Sequence, residues 1–270
     1  MEVSVIITSY NYEQYIKEAI ESVLAQTFQD FEIIIIDDAS SDSSLKIIEQ
    51  YVDKDNRIKV IKNSVNKGLA KSLKIACQAA RGEYIAILES DDTWTKSYLE
   101  RKLAIFKEHE NTGFIYNTVK LSGYYSRKTE EKFNKIINWS NEQEYPKDMF
   151  YDFGYQNRIL TLSSMMFRRY LLEKIDFNTP IDKLTDWYLY IQLAKYTKGY
   201  YLPKKITVWR LHKDSYIHIK KDKSFKFVNL SAYMKFLKKD IFNYKLAAYI
   251  IFSMLIMFFK KITNECFSKD

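Results

Sequence analysis

Four times within the first 92 residues a short apolar run gives way to a polar turn and then to helical spacing. The runs cover residues 3–8, 31–36, 58–61 and 85–88, and the helical spacing follows at 13–24, 45–51, 69–80 and 94–109. Apolar runs without in-out alternation suit strands buried on both faces, and strand–helix alternation requires crossover connections. The pattern therefore predicts an α/β chain, a three-layer α/β/α sandwich on a mostly parallel central sheet. A chain of 270 residues allows one large domain, or one domain with an appendage. With only six Gly and three Pro, it reads as ordered rather than as a linker.

Ligands of such sheets sit beyond the C-terminal ends of the strands. Polar residues gather there: 8–11 after the first run, Asp37 and Asp38 after the second, 63–66 after the third, and Glu89, Asp91 and Asp92 after the fourth. Each is readable alone as a solvated turn. Carboxylates ending two separate strands, beside two polar loops, favour a site. Carboxylate oxygens are ligands that Mg²⁺ or Mn²⁺ prefer, and such an ion neutralises phosphate. No GxGxxG follows Thr8 and there is no GxxxxGK[ST], so glycine-rich phosphate cradles are excluded. The formal charge of +8 attracts anions without choosing among them, and no nucleic acid partner is expected. Cys77 and Cys266 form no CxxC or disulfide framework, and three histidines are too few and too spread for a His-based zinc site. The N-terminus enters a strand directly without a signal-peptide pattern, so a cytoplasmic location is the default.

Further along, 113–117 reads as a strand and 120–145 as a long loop with short elements. Residues 159–167 read as a strand lining something polar, because Thr161, Ser163 and Ser164 interrupt it. A helical turn at 168–173 follows, then a helix at 182–197 with Asp186 near its start, where an Asp also suits the helix dipole. Residues 200–203 and 206–210 read as strand and 211–215 as loop. Residues 220–238 are basic and aromatic, and 246–259 are apolar except for Ser253, between Lys245 and Lys260-Lys261. That stretch is shorter than the roughly 20 residues that span a bilayer. It suits an interfacial helix at the inner membrane face, or packing on the rest of the chain or a second copy in a homodimer.

The opening Val3-Ser4-Val5-Ile6-Ile7-Thr8-Ser9-Tyr10-Asn11-Tyr12 resembles the first strand and loop of family 2 glycosyltransferases of the GT-A fold. Ser22-Val23-Leu24-Ala25-Gln26-Thr27, then Phe31 through Asp37-Asp38-Ala39-Ser40-Ser41-Asp42, resembles that family's most distinctive run. Asn66-Lys67-Gly68-Leu69 and Arg81-Gly82-Glu83-Tyr84-Ile85 through Glu89-Ser90-Asp91-Asp92 complete its nucleotide-binding half. The later half is looser: Thr161 through Arg169, Thr185-Asp186-Trp187, and Trp209-Arg210-Leu211-His212 then Ser215. Glu89 stands where many members have Asp, Thr185 where they have Glu, and Lys71-Ser72-Leu73-Lys74 where many carry Ala-Arg-Asn.

The resemblance implies a Rossmann-like GT-A domain at 1–218, split into a nucleotide-sugar half (1–110) and an acceptor half (111–218), with a C-terminal helical extension at 219–270. It implies inverting transfer of a sugar from a nucleotide sugar, most often a UDP-sugar, to a hydroxyl of a glycan or lipid-linked glycan in bacterial polysaccharide biosynthesis. By that resemblance Asp92 holds Mn²⁺ or Mg²⁺, with Asp91 on the ion or the ribose and His212 near the ion or the diphosphate. Asp38 reads the base, Tyr10 stacks on it, and Thr8 touches base or ribose. Asn66 and Lys67 lie on the nucleotide side, where Lys67 or Lys71 supplies positive charge. Asp186 is the catalytic base. Donor choice falls to the loop after Ile87 and to 161–164; acceptor choice falls to 120–145 and the face around Trp187 and Tyr188. A sugar-phosphate nucleotidyltransferase is the alternative enzyme, disfavoured because the loop after Thr8 has neither Gly nor a basic residue. A non-catalytic nucleotide-sugar-binding protein of the same fold is the other alternative, countered by the presence of Asp92 and Asp186.

Overall fold

The computed structural model describes residues 1–178 and 185–212. The expectations for Ser215, 220–238, 246–259 and Cys266 lie outside the described residues.

Parallel strands form the first half of the sheet. β1 (Val3–Ser9) lies between β2 (Phe31–Asp37) and β4 (Tyr84–Glu89), and β3 (Ile58–Lys62) flanks β2. The helices α1 (Ile16–Leu24), α2 (Ser44–Val52) and α3 (Leu69–Ala79) make the crossovers. Pleat alternation divides the core. Val3, Val5 and Ile7 pack with α1, whereas Ile6 packs with Leu73, Ala76 and Cys77 of α3 on the opposite face. Cys77 is buried, the core role its helical spacing suggests.

The register places the polar ends side by side, with Ser9 opposite Asp37 and Thr8 opposite Glu89. At the other end of the sheet, Glu32 Oε1 accepts from Ser4 Oγ at 2.8 Å and from the Arg81 amide at 2.9 Å, and its Oε2 accepts from Lys59 at 2.8 Å. The chain re-enters β4 beneath this knot at Gly82, whose amide donates to Ser4 Oγ at 2.8 Å. A Cβ on Gly82 would stand 2.5 Å from the Ser4 nitrogen, a backbone atom that cannot step aside.

The second half is antiparallel where it joins. β7 (Met165–Arg168) pairs antiparallel with β4 and with β6 (Thr112–Gly123). β8 (Lys198–Leu211) then runs parallel to β6, and a two-residue β5 (Thr93–Trp94) pairs antiparallel with it. The full order is β3-β2-β1-β4-β7-β6-β8-β5, a mixed α/β sandwich.

Three expectations change. The loop expected at 120–145 is the end of β6 and a 15-residue helix, α5 (Arg127–Asn141). Its helical period is carried by few residues, Phe133, Ile136 and Ser140, amid lysine and glutamate; Ser126 caps it by accepting from the Thr129 amide. The helix expected at 94–109 is shorter, because Trp94 is taken into β5 and α4 (Tyr98–Glu108) starts after it. The strand expected at 159–167 is a 3-10 turn, Leu162–Ser164, followed by β7, since Thr161 Oγ1 accepts from the Ser163 amide and curls the chain. After α6 (Phe150–Tyr155), α7 (Thr185–Tyr196) carries Asp186 in its first turn. Trp187 and Tyr188 are buried, and the Trp187 indole donates to the Phe153 carbonyl at 2.7 Å, so they pack inward rather than offering an acceptor face.

Gly82→Ala should destabilise the fold by about 1–3 kcal/mol, since overpacking against fixed backbone has no flexible outlet. Urea denaturation followed by circular dichroism checks this; an unchanged midpoint would contradict the close approach.

Candidate active site

The loops after β1 and β2 are sewn together. Asn11, at φ 56°, accepts from the Ser41 amide through Oδ1 at 2.8 Å, and its own amide donates to Ser40 Oγ at 3.0 Å. Asn tolerates this left-handed conformation better than most residues. Tyr10 emerges beside this seam with 45% of its surface exposed, and Thr8 is partly exposed. Asp38 is buried; its Oδ1 accepts from Asn63 Nδ2 at 2.7 Å and the Lys67 amide at 2.9 Å, and its Oδ2 accepts from the Gly68 amide at 2.8 Å. Asn66 Oδ1 also accepts from that amide, at 3.0 Å. Asp38 therefore fastens the entry to α3, where Gly68 takes φ +80°. Lys67 and Lys71 are exposed on the same side.

The acidic end of β4 sorts its three carboxylates. Asp92 is 1% exposed, with Oδ1 accepting from the Arg210 amide at 2.9 Å and Oδ2 from Thr161 Oγ1 at 3.1 Å. Glu89 is partly buried and its Oε2 accepts from the same hydroxyl at 2.6 Å. Asp91 keeps 15% of its side chain exposed, and its Oδ2 lies 3.2 Å from Nε2 of His212, which is 12% exposed. Burial, then the neighbouring charge of Asp91 and Glu89, pushes the Asp92 carboxyl well above the ordinary range. Burial, then Asp91 and Asp186, pushes Glu89 up to about 8.

Asp186 comes from the other half of the chain, on the first turn of α7. It is near enough to raise Glu89, and Asn157 Nδ2 approaches its Oδ2 at 3.4 Å. Burial also raises its own carboxyl. The turn between the halves is held from below. Ser163 Oγ accepts from the Glu89 amide at 2.9 Å, and the Ser163 carbonyl accepts from the Trp94 indole at 2.7 Å.

Among the described residues no group of three or more His, Cys, Asp or Glu side chains could hold a metal ion by itself. The pair Asp91 and His212 supplies two converging donors, a carboxylate oxygen and an imidazole nitrogen. A diphosphate and water would bring the remaining oxygens, so the residues present fit a divalent ion shared with a nucleotide.

The sequence singled out Thr8, Tyr10, Asp38, Asn66, Lys67, Asp91, Asp92, Asp186 and His212. The structure gathers Asp91, Asp92 and His212 at one place, with Asp186 near enough to Glu89 to raise it. It sets Asp38, Asn66 and Lys67 around the start of α3. Thr161 was legible only as a polar interruption of an apolar run. Nothing in the sequence pointed to Asn157.

The family model described as "Glycosyl transferase family 2" matches residues 4–176, more than half of the chain. The chain belongs to glycosyl transferase family 2. This glycosyltransferase is similar to an Escherichia coli enzyme named UDP-Glc:alpha-D-GlcNAc-diphosphoundecaprenol beta-1,3-glucosyltransferase WfaP. The two are 36% identical over 145 residues, covering 52% of this chain and 57% of that one. Among solved structures it resembles Staphylococcus aureus TarS, residues 1–349, in complex with UDP-GlcNAc. That likeness has a TM-score of 0.65 at 23% identity, over 93% of this chain and 70% of that one. It also resembles the mannosyltransferase PcManGT of Pyrobaculum calidifontis in complex with GDP-Man and Mn²⁺. There the TM-score is 0.63 at 17% identity, over 86% of this chain and 69% of that one. These likenesses show the GT-A fold that the family resemblance implies. No described helix of this glycosyltransferase is long and apolar enough to cross a membrane.

The folded glycosyltransferase keeps on Glu89 a proton that the unfolded chain, near 4.5, releases. That contribution is therefore present at low pH and lost as pH rises through about 8. In EDTA, Tm should fall more steeply over this interval in the wild type than in Glu89→Gln. Parallel pH courses would remove the assignment.

Proposed function

We propose that this glycosyltransferase moves a sugar, with inversion, from a UDP-sugar to a hydroxyl of a glycan or lipid-linked glycan, assisted by a divalent ion. The observation that carries the reading is that Asp91, 3.2 Å from His212, and Asp186, from the other half of the chain, both lie close enough to Glu89 to raise its carboxyl. An ion-facing pair and a separate base are what a single displacement requires.

Asp91 and His212 are the residues we assign first to the ion, because Asp92 is only 1% exposed and is drawn toward Thr161 and the Arg210 amide. A divalent ion held by these residues would supply positive charge toward the departing diphosphate. Mg²⁺ prefers an all-oxygen shell, so the imidazole favours Mn²⁺. The Mn²⁺ named with the related mannosyltransferase agrees with this choice. We assign Tyr10, 45% exposed beside the sewn loops, to stack on the base. Thr8, at the end of β1, and Asp38, Asn66 and Lys67, at the entry to α3, are assigned to the nucleotide side.

Asp186 takes the acceptor proton as the acceptor oxygen bonds to the anomeric carbon. The bond to the diphosphate breaks and its electron pair leaves with the nucleotide. Burial raises Asp186, which strengthens it as a base. Glu89 competes poorly, because it holds a proton up to about pH 8 and engages Thr161. A lipid-linked acceptor is favoured by the name of the Escherichia coli relative, and peripheral contact with the inner membrane face would follow from it.

Asp186→Asn should retain UDP binding yet lose transfer by about 10²–10⁴-fold. Calorimetry with UDP and Mn²⁺, beside a product assay with donor and acceptor, separates the two effects. Retained transfer would take Asp186 out of the mechanism, and a product of retained anomeric configuration would overturn the single displacement.

A further inference from the structure

We propose that Tyr15, clamped by Arg210, is a positioning residue that holds the imidazole of His212 against Asp91. This rests on the assignment of Asp91 and His212 to the ion. Tyr15 occupies the position preceding α1, where Ser, Thr, Asp or Asn would cap the helix, and no side-chain cap bond is made there. The ring is directed elsewhere. It lies 5.3 Å from the His212 ring between centroids, tilted by 32°. Tyr12 closes on the same imidazole edge-on, at 5.5 Å and 80°.

The Tyr15 ring also carries the Arg210 guanidinium, 4.7 Å from its centroid. Arg210 is in turn ion-paired to Glu18, in the first turn of α1. Its backbone amide donates to Asp92 at 2.9 Å. Arg210 is therefore fixed at both ends, and Tyr15 packs against both the held cation and the imidazole. His212 lies one residue beyond the end of β8, past the last paired backbone position. Its ring packs against those of Tyr12 and Tyr15 while its Nε2 faces Asp91. The wall is not free-standing either. The amide of Tyr12 donates to Ser44 Oγ at 3.0 Å and that of Glu13 to Asp42 at 2.9 Å, tying the segment before α1 to the loop after β2.

Groups that orient a ligating histidine typically contribute 10–100-fold to metal affinity. The test uses full-length protein saturated with UDP and titrated with Mn²⁺, with free Mn²⁺ read by electron paramagnetic resonance. UDP affinity is measured separately in EDTA. Tyr15→Ala should weaken Mn²⁺ binding by about tenfold. Tyr15→Phe, which keeps the ring, should restore it, and UDP affinity in EDTA should stay unchanged in both. Tyr15→Leu keeps apolar bulk at the helix start should the alanine variant fold poorly, and it too should weaken the ion. Normal Mn²⁺ affinity in Tyr15→Ala or Tyr15→Leu, with His212→Ala and Asp91→Asn weakened, would overturn the clamp alone. Normal affinity in His212→Ala and Asp91→Asn would overturn the ion assignment beneath it.

Discussion

One hydroxyl stands between two carboxyl groups at the centre of this protein. Thr161 Oγ1 lies within hydrogen-bond reach of both Glu89 and Asp92, yet it has a single proton to donate. Burial and mutual repulsion raise both acids, which lets a retained proton relieve the crowding. Asp92 gains a second donor in the Arg210 amide, so the end of β8 is drawn to the end of β4. Asp91 is left as the carboxylate facing outward with His212. The division of labour among three adjacent acids follows from which of them the second half of the chain can reach.

The first half of the fold was legible because its signals are local. Runs of Ile and Val define β1, β2 and β4 within a residue or two, and the spacing of Ile16, Ala19, Ile20 and Val23 gives the buried face of α1. The second half depends on long-range pairing. Thr161 to Phe167 looks like one strand by composition, but the Thr161 hydroxyl and the antiparallel insertion of β7 between β4 and β6 decide otherwise. In α5 only Phe133, Ile136 and Ser140 are buried, in a helix rich in Lys, Glu and Asn, so its period is faint. Phe133 meets Trp209 at 4.9 Å, a partner 76 residues on that no local window contains. The site shows the same division: the residue types were legible, whereas the burial of Asp92 beside the outward Asp91 depends on β8.

Departures from the family pattern acquire a local meaning here. Glu89 stands where many members have Asp, and its longer side chain reaches the Thr161 hydroxyl across the gap between β4 and the turn. Thr185 stands where many have Glu, and it is buried beside Asp186. A glutamate there would add another acid to a site whose carboxyls are already raised by burial.

The turn that follows Thr161 is supported by a buried lysine with no ion pair among the described residues. The Lys102 amine donates to the Tyr98 hydroxyl at 2.9 Å, the Ser164 carbonyl at 2.5 Å and the Ile115 carbonyl at 3.3 Å. Tyr98 spends its own hydroxyl proton on the Met165 carbonyl at 3.1 Å, so it can only accept from Lys102. Three acceptors match the three donors of an ammonium group, although burial alone draws this amine well below its ordinary range. The geometry therefore favours the charged form, and the carbonyl dipoles of the turn and of β6 take the role a counter-ion would otherwise play. A neutral hydrophobic residue would leave those buried carbonyls unmatched, at a cost of about 1–3 kcal/mol each. The lysine thus ties α4, β6 and the turn into one unit.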